Sequence, residues 1–226
     1  MEFETSDNKL TTEDVAAVYY LTTSVDTTED KDFLKLSAKY EEEIFNVWIK
    51  PSKPRSKLES SASWPRFKFR KLDFAVDGVK QSSVSLNIAL SMFREFLTIV
   101  PKKVLLVTHA PEIEFTLLSQ AIKKVNMTNT FQKVIVGFSN TVPLFRQIIS
   151  NRTNFGGVTL PNLYTTLLKK EYVHQWPEAA YALNCLEELV STHLSASKLI
   201  DSRVLLALSP ESSTPLSAEE ETENPE

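Results

Sequence analysis

The amino-acid sequence predicts an α/β fold in which helices flank a mixed five-stranded sheet. Most of this prediction comes from two short apolar runs rich in β-branched residues, one within residues 102–115 (KKVLLVTHAPEIEF) and one within residues 131–145 (FQKVIVGFSNTVPLF). Each run is too short to span a membrane and is bounded by polar residues or proline, which is typical of a strand buried on both faces. Segments with helical periodicity precede and follow both runs, so strands and helices alternate.

Three strands are predicted before the first helix. Residues 15–21 are apolar throughout, which indicates a central strand, whereas residues 33–38 and 44–49 alternate between apolar and polar side chains. Pro51 ends the third strand, because proline cannot donate to a sheet ladder. The connections between the three strands are short and polar, so we expect an antiparallel meander.

Residues 50–71 interrupt this pattern with eight basic residues and one acid, Glu59, and with the aromatic residues Trp64, Phe67 and Phe69. Basic residues interleaved with aromatic ones can hold a phosphate backbone while nucleic-acid bases stack. The alternative, which we favour, is a solvated segment whose aromatic side chains dock on the core. The candidate nucleic-acid-binding residues are Lys53, Arg55, Lys57, Trp64, Arg66, Lys68 and Arg70.

The rest of the chain alternates helices with strands. Its first helix has apolar residues at helical spacing from Leu86 to Leu97 and ends before Pro101. A last apolar element is expected over residues 199–208. The predicted helices cover residues 85–99, 112–126, 142–149, 163–170 and 178–194, and the predicted strands cover residues 103–108 and 133–138.

Length and composition predict one domain, because 226 residues of which 42% are apolar can bury one full-sized core. We expect a flexible leader at residues 1–13, the domain at residues 14–208 and a disordered acidic tail at residues 209–226. The tail contains six Glu but no base and no aromatic residue, so it cannot bury enough surface to offset the entropy of ordering. Because the whole chain has a net charge of −4, the chain without its tail is mildly basic.

The sequence predicts an intracellular protein, in the nucleus or the cytoplasm, that has no membrane segment. No stretch reaches 18 consecutive apolar residues, and the first nine residues are polar and acidic, unlike a signal peptide. The single cysteine, Cys185, excludes an intrachain disulfide and fits a reducing compartment. Cys185 falls at helical spacing among leucines, so we expect a buried structural thiol rather than a nucleophile.

Small polar residues follow both buried strands at the point where each strand ends. The first run ends in Thr108 and His109, and the second ends in Ser139, Asn140 and Thr141. In an open α/β sheet, ligands bind at the carboxyl ends of the strands. The predicted strand ends are therefore the candidate site.

Four short motifs carry a resemblance to a known enzyme family. Residues 18–24 read VYYLTTS, residues 108–115 read THAPEIEF, residues 140–146 read NTVPLFR and residues 174–179 read HQWPEA. Together with the predicted order of strands and helices, these motifs resemble those of the DnaQ-like 3′–5′ exonucleases of the DEDDh group, which have a ribonuclease H-like fold. The resemblance covers about residues 14–192 and extends in pattern to the exonuclease-like carboxyl-terminal domain found in some forms of the promyelocytic leukaemia protein.

The resemblance implies a site that has lost most of its metal ligands. The family's first strand carries Asp-x-Glu, and these two positions fall on Tyr19 and Leu21. The next Asp position falls on Glu114. The last Asp, five residues after the general base, falls on Ala179, while His174 takes the position of the base itself.

These identities matter because such enzymes use two divalent metals, about 3.5–4 Å apart, to activate water and to stabilise the leaving oxygen. Mg²⁺ is held by carboxylates and substrate phosphate. Three of the four implied carboxylates are replaced, and Glu114 is the one residual candidate ligand. Other acids stand one or more residues away from the expected positions. The side chain of Glu178, for example, is rotated by about 100° around the helix axis from that of Ala179. We therefore expect no metal site, no cofactor and no catalytic residue.

The sequence thus predicts a catalytically inactive exonuclease-like domain that acts by binding. The expected partner is a protein or, without cleavage, single-stranded nucleic acid. The alternative is an active 3′–5′ exonuclease on single-stranded DNA or RNA that uses Mg²⁺ or Mn²⁺, with Glu114, His174 and further acids in the site.

Overall fold

A mixed six-stranded sheet lies at the centre of the molecule. The structure is a computed structural model that describes residues 10–26, 31–52, 67–70, 73–109, 113–150, 157–173 and 179–206. Its strands are β1 (Val15–Asp26), β2 (Lys31–Tyr40), β3 (Glu43–Ile49), β4 (Phe67–Arg70), β5 (Asp73–Val76), β6 (Val79–Lys80), β7 (Ser83–Val84), β8 (Lys103–Thr108) and β9 (Ile135–Asn140).

The main sheet has the strand order β7-β3-β2-β1-β8-β9, and a separate small sheet has the order β4-β5-β6. The predicted α/β class and the mixed character of the sheet are confirmed. The predicted number of five strands is wrong, because the two-residue strand β7 pairs with β3 and adds a sixth strand. Strands β4 to β7 are too short to show an apolar pattern, which is why the sequence did not predict them.

Helices cover both faces of the sheet, and the five predicted helices are all present within a few residues of their expected bounds. Of the other two, α3 was not predicted, and α7 lies within the expected last apolar element only in part. The helices are α1 (Leu86–Thr98), α2 (Ile113–Lys124), α3 (Thr128–Gln132), α4 (Thr141–Ile149), α5 (Leu160–Leu168), α6 (Ala179–His193) and α7 (Ala196–Asp201).

Strands β1, β2 and β3 form the antiparallel meander that the sequence predicts. Tyr19 of β1 lies opposite Lys39 of β2, and Lys35 of β2 lies opposite Trp48 of β3. Strand β1 extends beyond its predicted end at Leu21, because the polar residues that follow continue to pair with β2. Strand β1 also pairs with β8, so it is central, as its apolar sequence indicates.

Strands β1, β8 and β9 run parallel, so their carboxyl ends lie along one edge of the sheet. Parallel neighbours need a crossover connection, which α2 and α3 supply between β8 and β9. Thr108 and Asn140 are paired across β8 and β9. The polar residues at the carboxyl ends of these two strands are therefore neighbours.

Successive residues of β1 point to opposite faces of the sheet and join two different apolar clusters. Val18 and Tyr20 belong to a cluster that is covered by α1, α2 and α3. Tyr19 belongs to the other cluster, which is built from the sheet and from α4, α5, α6 and α7. We call this second cluster the α6-side cluster.

The small sheet packs on the meander through a third apolar cluster. Phe67, Phe74 and Val76 are buried around Leu34 of β2, with Trp48 of β3 beside them. A break in the pairing of β1 with β2 leaves Leu34 as an extra residue, which is the geometry of a β-bulge. The part of residues 50–71 that the structure describes is thus anchored to the core at Phe67.

At the amino-terminal end, Leu10 packs against the α6-side cluster, and the Thr11 hydroxyl donates a hydrogen bond to Asp14 Oδ2 at 2.6 Å. The rest of the predicted leader and all of the predicted acidic tail lie outside the described residues. Among the helices that the structure describes, none is both long and apolar enough to cross a membrane.

Candidate functional site

The polar residues at the carboxyl ends of β8 and β9 form one hydrogen-bond network. The Nδ1 atom of His109 lies 2.8 Å from Thr141 Oγ1, and its Nε2 atom lies 2.6 Å from the carbonyl oxygen of Val158. Thr141 Oγ1 also lies 3.1 Å from the carbonyl oxygen of Thr108. The network connects the end of β8 to the start of α4 and to the residues before α5.

Burial holds the pKa of His109 below its ordinary value, although the hydrogen bond to the Val158 carbonyl acts in the opposite direction. In the neutral ring, the Nε2 hydrogen is donated to the Val158 carbonyl and Nδ1 is left as an acceptor. The single hydrogen of the Thr141 hydroxyl is then shared between two acceptors, Nδ1 and the Thr108 carbonyl oxygen. Both ring nitrogens are therefore engaged within the fold. We conclude that His109 holds three segments together rather than binding a metal.

Asn140 is the first residue of the motif at residues 140–146, and its side chain caps a helix. Its Oδ1 atom accepts a hydrogen bond from the backbone N–H of Val142 at 3.0 Å, at the start of α4. Asparagine is among the best residues for this position, because its side-chain oxygen satisfies an N–H that has no partner within the helix. The local role of Asn140 is thus structural.

Three of the positions that the resemblance assigns to metal ligands lie in or against the α6-side cluster. Tyr19 is 7% exposed and belongs to the α6-side cluster, and Leu21 and Ala179 are partly buried residues that pack against it. Leu21 lies two residues after Tyr19 on the same face of β1, and Ala179 is the first residue of α6. All three residues therefore lie in or against this one cluster.

An ion pair joins the sheet to α6 on this face. Lys39 of β2 donates a hydrogen bond to Glu187 of α6, with 2.5 Å between Nζ and Oε2, and also donates to the carbonyl oxygen of Glu41. Lys39 is only 6% exposed, although it is charged. Burial raises the pKa of Tyr19, which lies opposite Lys39 in the ladder, and the Glu187 carboxylate raises it further.

Two positions of the predicted site cannot be placed. Glu114 is the second residue of α2, but its side chain lies outside the described part of the structure, and His174 lies outside it entirely. Within the residues that the structure does describe, no group of three or more His, Cys, Asp or Glu is arranged to hold a metal ion.

The predicted nucleic-acid-binding residues are described only in part. Lys68 is exposed on β4, and Arg70 belongs to the same strand, although its side chain is outside the described part. Phe67, one of the aromatic residues in this segment, is 5% exposed and cannot stack on a base, which agrees with the favoured prediction of docking on the core. The candidates that lie outside the described residues are Lys53, Arg55, Lys57, Trp64 and Arg66.

Sequence reasoning missed the buried lysines of β2. Lys35 and Lys39 alternate with apolar residues, a pattern typical of a strand with a solvated face, yet each is 6% exposed. The Nζ atom of Lys35 lies 4.7 Å from the centroid of the Trp48 ring, which is within reach of a cation–π interaction. The burial of both lysines depends on contacts with other elements, so the pattern of β2 alone could not indicate it.

Cys185 is buried, as predicted, and is 1% exposed. Burial raises the pKa of its thiol, while hydrogen bonds with Tyr181 and Tyr164 act in the opposite direction. The hydroxyl of Tyr164 also donates to Glu188 Oε2 at 2.8 Å. A thiol that is held in its protonated form in this way is a poor nucleophile.

Comparison of the sequence with protein-family models and with curated proteins finds no match.

Proposed function

We propose that this chain is a catalytically inactive exonuclease-like module with a ribonuclease H-like fold, and that it acts by binding. The observation that carries the proposal is the shared position of Tyr19, Leu21 and Ala179 in one apolar cluster. Residues that are far apart in the sequence thus lie in or against the same cluster, on one side of the sheet. This common location is what the resemblance would require of the three positions.

The chemistry of the cluster argues against two-metal catalysis. Mg²⁺ and Mn²⁺ require oxygen donors, and phenol, isobutyl and methyl side chains do not replace bridging carboxylates. The nearby Glu187 carboxylate already has the Lys39 ammonium as its counter-ion. A second positive charge at the same carboxylate would have to displace that lysine.

The topology also supports the proposal. The chain begins with an antiparallel meander and continues with two strands parallel to β1, with helices on both faces of the sheet. This arrangement is compatible with the ribonuclease H-like fold that the resemblance implies.

We propose a protein as the main partner. Single-stranded nucleic acid remains the second candidate, because the basic residues 50–71 include the exposed Lys68. The burial of Phe67 removes one of the three aromatic side chains that could have stacked on bases.

A cleavage assay tests the proposal directly. The purified chain is incubated with Mg²⁺ or Mn²⁺ and with end-labelled single-stranded DNA and RNA, and we expect no shortening of either oligonucleotide. Shortening that requires the metal and is abolished by His174→Ala would contradict the proposal and establish the active exonuclease. A mobility shift that weakens with salt, without shortening, would identify binding through phosphate contacts.

A further inference from the structure

The outer edge of β9 is bonded to a segment near the carboxyl-terminal end of the described chain. The Phe138 N–H donates to the Val204 carbonyl at 2.9 Å, and the Val204 N–H donates to the Phe138 carbonyl at 2.7 Å. The two residues thus form one antiparallel pair of the hydrogen-bonded type. We call Ser202 to Leu206 the edge segment.

Other contacts hold the two ends of the edge segment. The hydroxyl oxygens of Ser202 and Ser139 are 2.9 Å apart, and Gln132 Nε2 donates to the Leu206 carbonyl at 3.0 Å. Leu206 is buried in the cluster on the α1 face of the sheet, whereas α7, just before the segment, packs in the α6-side cluster. The segment therefore passes around the sheet edge from one face to the other.

Gly137 allows this close approach. Its φ angle is +152°, and a Cβ atom at this position would lie 2.9 Å from the Val204 carbonyl oxygen and 3.4 Å from Arg203 Cβ. Glycine within a strand often marks a place where another backbone comes near. The edge of β9 is thus shaped to receive an extended chain.

The edge segment leaves apolar side chains exposed and pairs with β9 at one position only in the described residues. Val204 is 52% exposed and Leu205 is 62% exposed. By contrast, the ladder on the other side of β9 pairs five residues with β8. An edge that is covered by so short a ladder can accept a competing strand, because backbone groups bind any extended peptide in the same way.

We propose that the edge of β9 is an acceptor site for an extended apolar peptide of a partner protein, and that the edge segment occupies this site in cis. The partner peptide would run antiparallel to β9 and pair with Phe138. It would place a large apolar side chain two residues after the paired one, where Leu206 is buried. This proposal depends on the geometry of the edge alone and holds whether or not the chain cleaves nucleic acid.

A fluorescent peptide with the sequence of residues 201–206, DSRVLL, tests the proposal against the full-length protein by anisotropy. Val204→Pro removes the N–H that bonds to Phe138 and so releases the edge. We expect this variant to bind the peptide at least tenfold more tightly than the wild type does. The matched control is Leu205→Pro, one residue along, where the N–H of a paired strand points away from β9; it should behave like the wild type.

Circular dichroism and a thermal melt establish that Val204→Pro is folded. Equal peptide affinity of the folded variant and the wild type, or no binding to either, would refute the proposal. Hydrogen exchange on the wild type gives an independent test that needs no variant. We expect the Phe138 amide to exchange at least tenfold faster than the Leu106 amide in the central strand β8, and equal protection of the two would contradict a detachable edge segment.

Discussion

Lys39 of β2 and Glu187 of α6 form an ion pair, with 2.5 Å between Nζ and Oε2, although 148 residues separate them in the sequence. The Lys39 side chain is 8% exposed and the Glu187 side chain is 33% exposed. Tyr19 lies opposite Lys39 in the sheet, so the pair is next to a position that the resemblance assigns to a metal ligand. The positive charge of Lys39 is therefore neutralised by a carboxylate of the same chain.

The first prediction concerns the stability that this pair supplies. Lys39→Met leaves the Glu187 carboxylate without its counter-ion beside the buried Tyr19. We expect the free energy of unfolding in urea to fall by roughly 1–3 kcal/mol, less than for a fully buried pair because Glu187 is partly solvated. Glu187→Gln and the double variant complete a double-mutant cycle. A coupling free energy near zero would mean that the two charges do not stabilise each other.

The second prediction concerns metals. Millimolar Mg²⁺ or Mn²⁺ should shift the melting temperature by well under about one degree, because only a ligand that binds the folded state stabilises it. Differential scanning fluorimetry with and without EDTA measures this shift. A clear rise with Mn²⁺ that Glu114→Ala abolishes would show that Glu114 contributes to an ion site and would overturn the prediction.

The third prediction concerns pH. Burial lowers the pKa of His109, so the unfolded chain takes up a proton at this residue more readily than the folded protein does. The contribution of the neutral ring to stability is complete above the ordinary histidine pKa of about 6.5, and it is lost as the pH falls from there towards the lower folded value.

His109→Gln removes this titration and isolates it from the other groups. The free energy of unfolding is measured for the wild type and the variant at pH 7.5 and at pH 5.5. The advantage of the wild type should be smaller at pH 5.5. An advantage that is constant, or that grows in acid, would mean that folding does not lower the pKa of His109.

The fourth prediction separates two adjacent residues of β4. Phe67 is buried against Phe74 and Val76, so Phe67→Ala should lower the free energy of unfolding by about 3 kcal/mol or more. Lys68 is exposed, so Lys68→Glu should leave stability nearly unchanged, within about 0.5 kcal/mol. Chemical denaturation of the two variants tests both effects.

The same two variants also test nucleic-acid binding. If the basic segment binds phosphates, Lys68→Glu should weaken a salt-sensitive mobility shift, because one phosphate contact is lost. A loss of binding in Phe67→Ala without any loss of stability would contradict the structural role of this aromatic side chain.

Local patterns were sufficient to predict the framework of the fold. The apolar runs of β8 and β9, the apolar strand β1 and the amphipathic helix α1 are all predicted by the sequence, because their periodicity reflects burial on one or two faces. The polar residues at the strand ends are predicted for the same reason, since Thr108 directly follows the apolar run of β8, and Ser139 and Asn140 follow that of β9. The small sheet was not predicted, because its strands of two to four residues show no periodicity.

Contacts between distant parts of the chain decided the character of the site. The alternation of β2 predicts a solvated face for Lys39, and only the packing of α6 over that face buries it beside Glu187. Likewise, nothing in the residues around Val204 indicates a sheet contact until α7 brings them to the edge of β9. Periodicity records how a segment meets its surroundings on average, whereas the partner of a particular charge or backbone group depends on where the tertiary fold places another segment.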